Sequence, residues 1–232
     1  MTERVVLVVG ASGGIGSATA KLLAAQGYRL MLGGRDRARL SELAAAVGGA
    51  IALGDITDPE QAQGLVAATV QHYGRVDVLV NAAGAWVMKQ ANKIEPADLD
   101  RMLAVNLKGN FFVSQAAAEA MKEQKSGHLC QVIGILGKHT MPMAAAYSAA
   151  KFGAVGATKC LAEEVRRYGI RSTLFYFGGV DTPFWDNVAL KVDRSKMLRP
   201  ETAAAAIAFA IGAEPQAVPL EIDIQPESHI FF

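Results

Sequence analysis

Seven short apolar runs alternating with six longer amphipathic stretches restrict the fold of this chain more than any other feature. The runs are RVVLVV at 4–9, RLML at 29–32, AIAL at 50–53, VDVLV at 76–80, LCQVI at 129–133, STLFYF at 172–177 and PLEIDI at 219–224. The segments 17–27, 37–47, 59–74, 98–124, 144–169 and 200–212 carry helical periodicity, and Gly, Asn or Asp punctuates most junctions. Continuous apolar strands are buried on both faces. Separated by helices, they form a parallel sheet wound on both sides through right-handed crossovers. This predicts an α/β protein of about seven strands. No second core, repeat or linker interrupts the alternation, so 1–232 is expected as one domain, a size that single α/β sheets commonly reach. Ligands bind beyond the carboxyl ends of strands in such sheets, which directs attention to the loops 84–97, 134–145 and 178–199.

The first of these strand ends carries GASGGIG, from Gly10 to Gly16. A turn this tight from strand to helix needs residues without Cβ, so that backbone can approach a pyrophosphate at the positive end of the helix. The spacing is GxxxGxG rather than GxGxxG, and a close-packed turn would explain it equally well in isolation. Further along, YSAAK at 147–151 places Tyr147 and Lys151 four apart, on one helical face. A phenol with a pKa near 10 is a poor acid–base group at neutral pH, and a neighbouring ammonium favours its ionised form.

Taken in order with GDITD at 54–58, NAAG at 81–84, NLKGNFF at 106–112 and GGVDTPF at 178–184, these motifs resemble the short-chain dehydrogenase/reductase family over nearly the whole chain. The resemblance implies a Rossmann-like doubly wound fold that binds a nicotinamide dinucleotide. It assigns the pyrophosphate loop to Gly10, Ser12, Gly13, Gly14, Ile15 and Gly16, the adenine border to Asp55 and Ile56, and the adenosine ribose to Asn81, Ala82, Ala83 and Gly84. It also counts Gly178 and Val180 among the cofactor-binding residues and places Thr182 at the nicotinamide amide, with Tyr147 as general acid/base, Lys151 as its partner and ribose ligand, and Asn106 as holder of a water. Asn106 has a second reading, as a buried amide bonding to backbone.

Departures from the family pattern are as informative. Val9 stands for the usual Thr before the glycine loop, and Phe177 for the Pro of the family's PG. Where members read NISSxxG, this chain reads QVIGILG, with Gly134 at the reacting serine, thirteen residues before Tyr147. Losing one hydrogen-bond donor to a developing oxyanion costs about 2.7 to 4 kcal/mol in another enzyme class, which cripples without abolishing. His139, Thr140 and Ser148 are the nearby polar side chains, and a water or a hydroxyl of the substrate could take the same place. A retained Tyr, Lys and Asn favours an oxidoreductase acting on a carbonyl or alcohol, with reduced or altered activity. Gly134 and Phe177 motivate the rival, a non-catalytic NADP(H)-binding regulator or scaffold.

The choice of cofactor turns on the residue after the second strand. Counting about 20 residues from the glycine loop lands on Asp36, which would suit the free ribose hydroxyls of NAD. Aligning on the strand end instead places Gly34 at the family's acidic position and Arg35 next to it, an arrangement that resembles NADP-preferring members. NADP(H) is the expectation. Arg35 and Arg37 also read as solvated charges at a helix start.

Composition removes other classes. Lys and Arg total 23 against 22 Asp and Glu, with no basic block, which leaves no electrostatic footprint for nucleic acid. No stretch approaches the roughly 18 apolar residues of a membrane span, and the short first run is no signal-peptide core, so a cytoplasmic protein is expected. Cys130 and Cys160 lack metal-site spacing and read as free thiols, with no metal expected. Phe184, Trp185, Val188 and Leu190 are apolar candidates for the substrate lid that the resemblance implies, and would suit a hydrophobic carbonyl compound or, equally, packing against a neighbouring subunit. The resemblance implies pairing through the helices near 107–124 and 147–168, and the apolar SHIFF end adds to the expectation of a homodimer or homotetramer.

Overall fold

In the computed structural model, which describes residues 4–186, 193–214 and 216–231, the seven expected strands form one sheet. They are β1 (Val5–Val9), β2 (Arg29–Gly34), β3 (Ala50–Leu53), β4 (Val78–Asn81), β5 (Gly127–Val132), β6 (Ile170–Phe177) and β7 (Glu221–Ile224). Every neighbouring pair is parallel, in the order β3-β2-β1-β4-β5-β6-β7. The order reverses between β1 and β4, and that switch point opens a crevice at the carboxyl ends of the strands.

The helices are α1 (Gly14–Ala25), α2 (Arg37–Val47), α3 (Pro59–Tyr73), α4 (Pro96–Leu103), α5 (Asn110–Gln124), α6 (Ala145–Val165) and α7 (Pro200–Gly212). Their ends follow local chemistry. Asp58 accepts from the amides of Glu60 and Gln61 to start α3, Pro59 fits the first turn, and Gly74 ends it at φ 78°. Asp98 accepts from the Glu95 amide at 3.0 Å as α4 begins. Along β1 the side chains alternate: Val6 and Val8 pack with Leu23, Leu40 and Ile207 on one face, and Leu7 and Val9 with Leu65, Val113 and Met121 on the other. A third apolar cluster, under the loop after β5, gathers Met102, Ile133, Ile135, Leu136, Tyr147 and Tyr176.

The periodic stretch 98–124 is helical throughout, with one feature the sequence did not show: α4 and α5 run on through a π-helical segment, Ala104–Gly109, that contains Asn106. A π-turn inserts a residue without changing apolar composition, so the sequence pattern runs through it unbroken.

Candidate active site

A cleft of about 940 Å³ follows the carboxyl ends of the strands from the glycine loop to Tyr147. It is large enough for a bound organic molecule of cofactor size. At one end, Gly10 leaves β1 at φ 75°, and a Cβ there would meet the Ala83 amide nitrogen at 2.7 Å. The loop therefore presses against the strand end of β4 where a side chain would not fit. A Cβ on Gly14 would collide with the Thr182 side chain, and one on Gly16 with the Gly10 carbonyl. Gly13 caps α1 without any side-chain hydrogen bond, which leaves first-turn amides for an anion.

Ser12, Gly34, Arg35, Arg39, Asp55 and Ile56 continue the wall. Arg35 is 72% exposed and its Nη1 donates to Asp55 Oδ2 at 3.1 Å. Burial works to raise the Asp55 carboxyl, but hydrogen bonds from Thr57 and Arg35 outweigh it and hold the group below the usual carboxylate range. Asp36 is spent elsewhere, accepting from the Arg39 amide at 3.1 Å as the N-cap of α2. Arg39 was not singled out in the sequence; it sits in the first turn of α2, three residues past the Asp36 cap, whereas Arg35 precedes that cap.

The sequence-derived positions divide into two groups. Gly10, Ser12, Gly13, Gly14, Ile15, Ala82, Ala83, Gly84, Gly134, Tyr147, Lys151, Gly178, Val180 and Thr182 line the cleft. Gly16, Asn81 and Asn106 stand behind its wall. Asn81 Oδ1 accepts from the Ala83 amide at 3.3 Å. Asn106 clasps Ala85, accepting from its amide at 3.1 Å and donating to its carbonyl at 2.9 Å. Its Oδ1 still approaches the cleft, since a Cβ on Gly84 would lie 3.3 Å from it and 3.9 Å from Lys151 Nζ.

Tyr147 and Lys151 share the inner face of α6. Lys151 Nζ lies 5.6 Å from the Tyr147 ring centroid and donates to the Val132 carbonyl at 3.2 Å. Burial pulls Lys151 down to about 8 and pushes the Tyr147 phenol well above its ordinary value. Trp86, missed in the sequence although it follows NAAG by two residues, sets its indole edge-on to Tyr147 at 4.6 Å. Its buried Nε1 has no hydrogen-bond partner among the described residues. Phe184 and Trp185 lie 6.0 and 6.1 Å from Trp86 and close an aromatic wall. Val188 and Leu190, the other lid candidates, lie outside the described residues. Phe177 stacks on Phe175 at 5.7 Å and borders the same end.

At Gly134 the backbone has φ 88° and ψ 156°, a region that essentially only glycine occupies. A residue with a side chain would be strained on this backbone path. None of His139, Thr140 and Ser148 lines the cleft: the His139 ring stacks on Phe231 at 5.4 Å and Ser148 Oγ is buried. A Cβ on Gly134 would lie 3.2 Å from the Tyr147 hydroxyl oxygen. We expect Gly134→Ala and Gly134→Ser each to lower stability by about 1–3 kcal/mol, read as a lowered midpoint in thermal or urea unfolding. Unchanged midpoints would show that the chain relaxes readily to an ordinary conformation here.

The family model for short chain dehydrogenases matches residues 4–193. An uncharacterized oxidoreductase of Staphylococcus saprophyticus is 31% identical over 97% of each chain. Among solved structures, levodione reductase superposes with a TM-score of 0.91 at 27% identity over 98% of each chain. A variant of actinorhodin polyketide ketoreductase with NADPH gives 0.86 at 29% identity, over 97% of this chain and 96% of that one. Because the match runs from the first strand past the helix bearing Tyr147 and Lys151, the chain belongs to the short-chain dehydrogenase family.

Proposed function

We propose that the protein is an NADP(H)-dependent oxidoreductase acting on an apolar carbonyl or alcohol. The observation that carries this reading is the buried Tyr147–Lys151 pair at the apolar end of a cleft whose other end is a glycine cradle at the uncapped start of α1. When bound, the nicotinamide supplies or accepts the hydride. Tyr147 gives its hydroxyl proton to the carbonyl oxygen in reduction, or takes it back in oxidation, so hydride and proton together balance ketone against alcohol. Lys151 holds a positive charge beside the phenol and favours its ionised form, offsetting the burial that opposes it. Asn106 holds the loop after β4 at Ala85 through both ends of its amide, on the wall of the cleft near Gly84. Trp86, Phe184 and Trp185 give the reacting end an apolar wall.

NADP is favoured over NAD by chemistry at the far end. Arg35 and Arg39 line the cleft beside Ser12, and the one carboxylate that a count along the sequence offers to a ribose, Asp36, is occupied as a helix cap. Hydrogen bonds to charged groups contribute about 1.5–3 kcal/mol each. Replacing both arginines by Ala should therefore raise the Kd for NADPH by roughly tenfold or more and leave that for NADH little changed. Calorimetric titration with each cofactor checks this, and equal losses for the two would argue against a 2′-phosphate site.

A homodimer or homotetramer is part of the proposal. Phe111 and Phe152 are exposed on α5 and α6, and Phe209 and Leu220 are 66% and 67% exposed on α7 and just before β7. Light scattering that reads a monomer would contradict it. No helix among the described residues is long and apolar enough to cross a membrane.

A further inference from the structure

The segment that follows β7 turns back over the reacting end of the cleft. Pro226 sits against Gly178, where a Cβ would press on its Cδ at 2.6 Å, and Ser228, His229 and Phe231 all line the cleft. Gln225 fastens this turn through both ends of its amide. Its Oε1 accepts from the Phe231 amide at 2.8 Å, and its Nε2 donates to the Phe231 carbonyl at 3.1 Å. The Phe231 ring is thereby set against the apolar cluster that includes Ile135, Leu136, Met141 and Tyr147. The ring also stacks on His139 at 5.4 Å with 21° between planes, and meets His229 edge-on at 4.9 Å.

The loop that carries Gly134 is tied to the same strand. Lys138 bridges Glu221 and Asp223 of β7 at 2.5 and 2.7 Å, and its Nζ lies over the Tyr176 ring at 4.0 Å. Loop and returning segment are thus held together at two neighbouring points. The aromatic wall of Trp86, Phe184 and Trp185 comes from other loops, after β4 and β6. Phe231 adds a further wall, from the segment after β7.

We propose that Phe231 limits the size of the substrate's apolar group and that Gln225 is the positioning residue that holds Phe231 there. This rests on the reductase reading above. One methylene more or less in an apolar pocket changes discrimination by about 10 to 200-fold, so removing a whole ring from the wall is readable. Among the described residues the Gln225 side chain bonds to the Phe231 backbone alone, so its influence on size preference passes through where that ring stands.

The test compares acetophenone with naphthyl methyl ketone. It uses the natural protein, Phe231→Ala, Gln225→Ala and the double variant, each loaded with NADPH for turnover. The ratio of kcat/KM for the naphthyl over the phenyl ketone should rise by about tenfold or more in Phe231→Ala. It should rise by less in Gln225→Ala, and the double variant should match Phe231→Ala alone. Affinity for NADPH should stay constant throughout, since neither residue touches the far end of the cleft. Calorimetric binding of naphthyl methyl ketone to the NADP⁺-loaded proteins gives a second readout that needs no turnover. If no variant turns over either ketone but binding strengthens in Phe231→Ala, the wall stands and the reductase reading fails. If neither the kcat/KM ratio nor binding moves in Phe231→Ala, the wall is wrong. Additive effects of the two substitutions on the ratio would overturn the positioning role of Gln225.

Discussion

Tyr147→Phe removes turnover while leaving NADPH affinity where it was. The phenol is buried at the apolar end of the cleft, its hydroxyl oxygen 3.2 Å from where a side chain on Gly134 would begin. The backbone at Gly134 brings no hydroxyl of its own, and none of the polar residues on the following loop turns into the cleft. On the proposed reading, proton transfer to the carbonyl oxygen falls to Tyr147, and a positioned acid of this kind contributes roughly a hundredfold to ten-thousandfold in rate. Phenylalanine keeps the edge-on contact with Trp86, so the wall is preserved and the loss is one of chemistry. Steady-state rates beside calorimetric NADPH titration check both halves. Turnover that survived the change would mean that another group delivers the proton.

Lys151→Met is expected to cost activity and to stabilise the cofactor-free protein at neutral pH. Burial holds the Lys151 amine at about 8, against an ordinary 10.5. Between those values the unfolded chain binds more protons than the folded one, so stability rises with pH across that window. Below about 8 both states are protonated and the whole cost of the buried charge is present. That difference is worth up to about 3 kcal/mol. The midpoint of the Met variant should exceed that of the natural protein at pH 7, by about 2–4 °C for each kcal/mol. The gap should close as pH climbs from about 8 towards 10.5. Unfolding curves of both proteins across that range check the sign; a gap that widened with pH would contradict it. Lysine at this position is a charge kept against stability, as expected of a group retained for chemistry.

Residues whose placement follows from strand ends were legible in the sequence. The apolar runs located all seven strands to within a few residues, and with them the three loops that border the cleft. Tyr147 and Lys151 were legible because a helix fixes what lies four residues apart. The features that escaped depend on backbone path or on long-range return of the chain. The π-helical turn at Asn106 leaves hydrophobic periodicity intact, and the positive φ of Gly134 looks, in sequence, like a bare loss of hydroxyl. Asp36 and Arg35 stand side by side at the end of β2. Only the direction of the chain into α2 shows that the carboxylate caps a helix and the guanidinium faces the cleft. Phe231 reaches Tyr147's neighbourhood from 84 residues further along the chain, beyond the reach of any local pattern.

Hydride transfer itself is the most direct test of the account. The natural protein would be incubated with acetophenone and NADPH carrying deuterium at the transferable position of the nicotinamide, and the product alcohol examined by mass spectrometry. The account predicts deuterium on the carbinol carbon with the natural protein and none above background with Tyr147→Phe. Saturating NADPH binding by a natural protein that labels neither this ketone nor the naphthyl ketone would contradict it, and would leave a cofactor-binding protein in which Gly134 marks the loss of the chemistry.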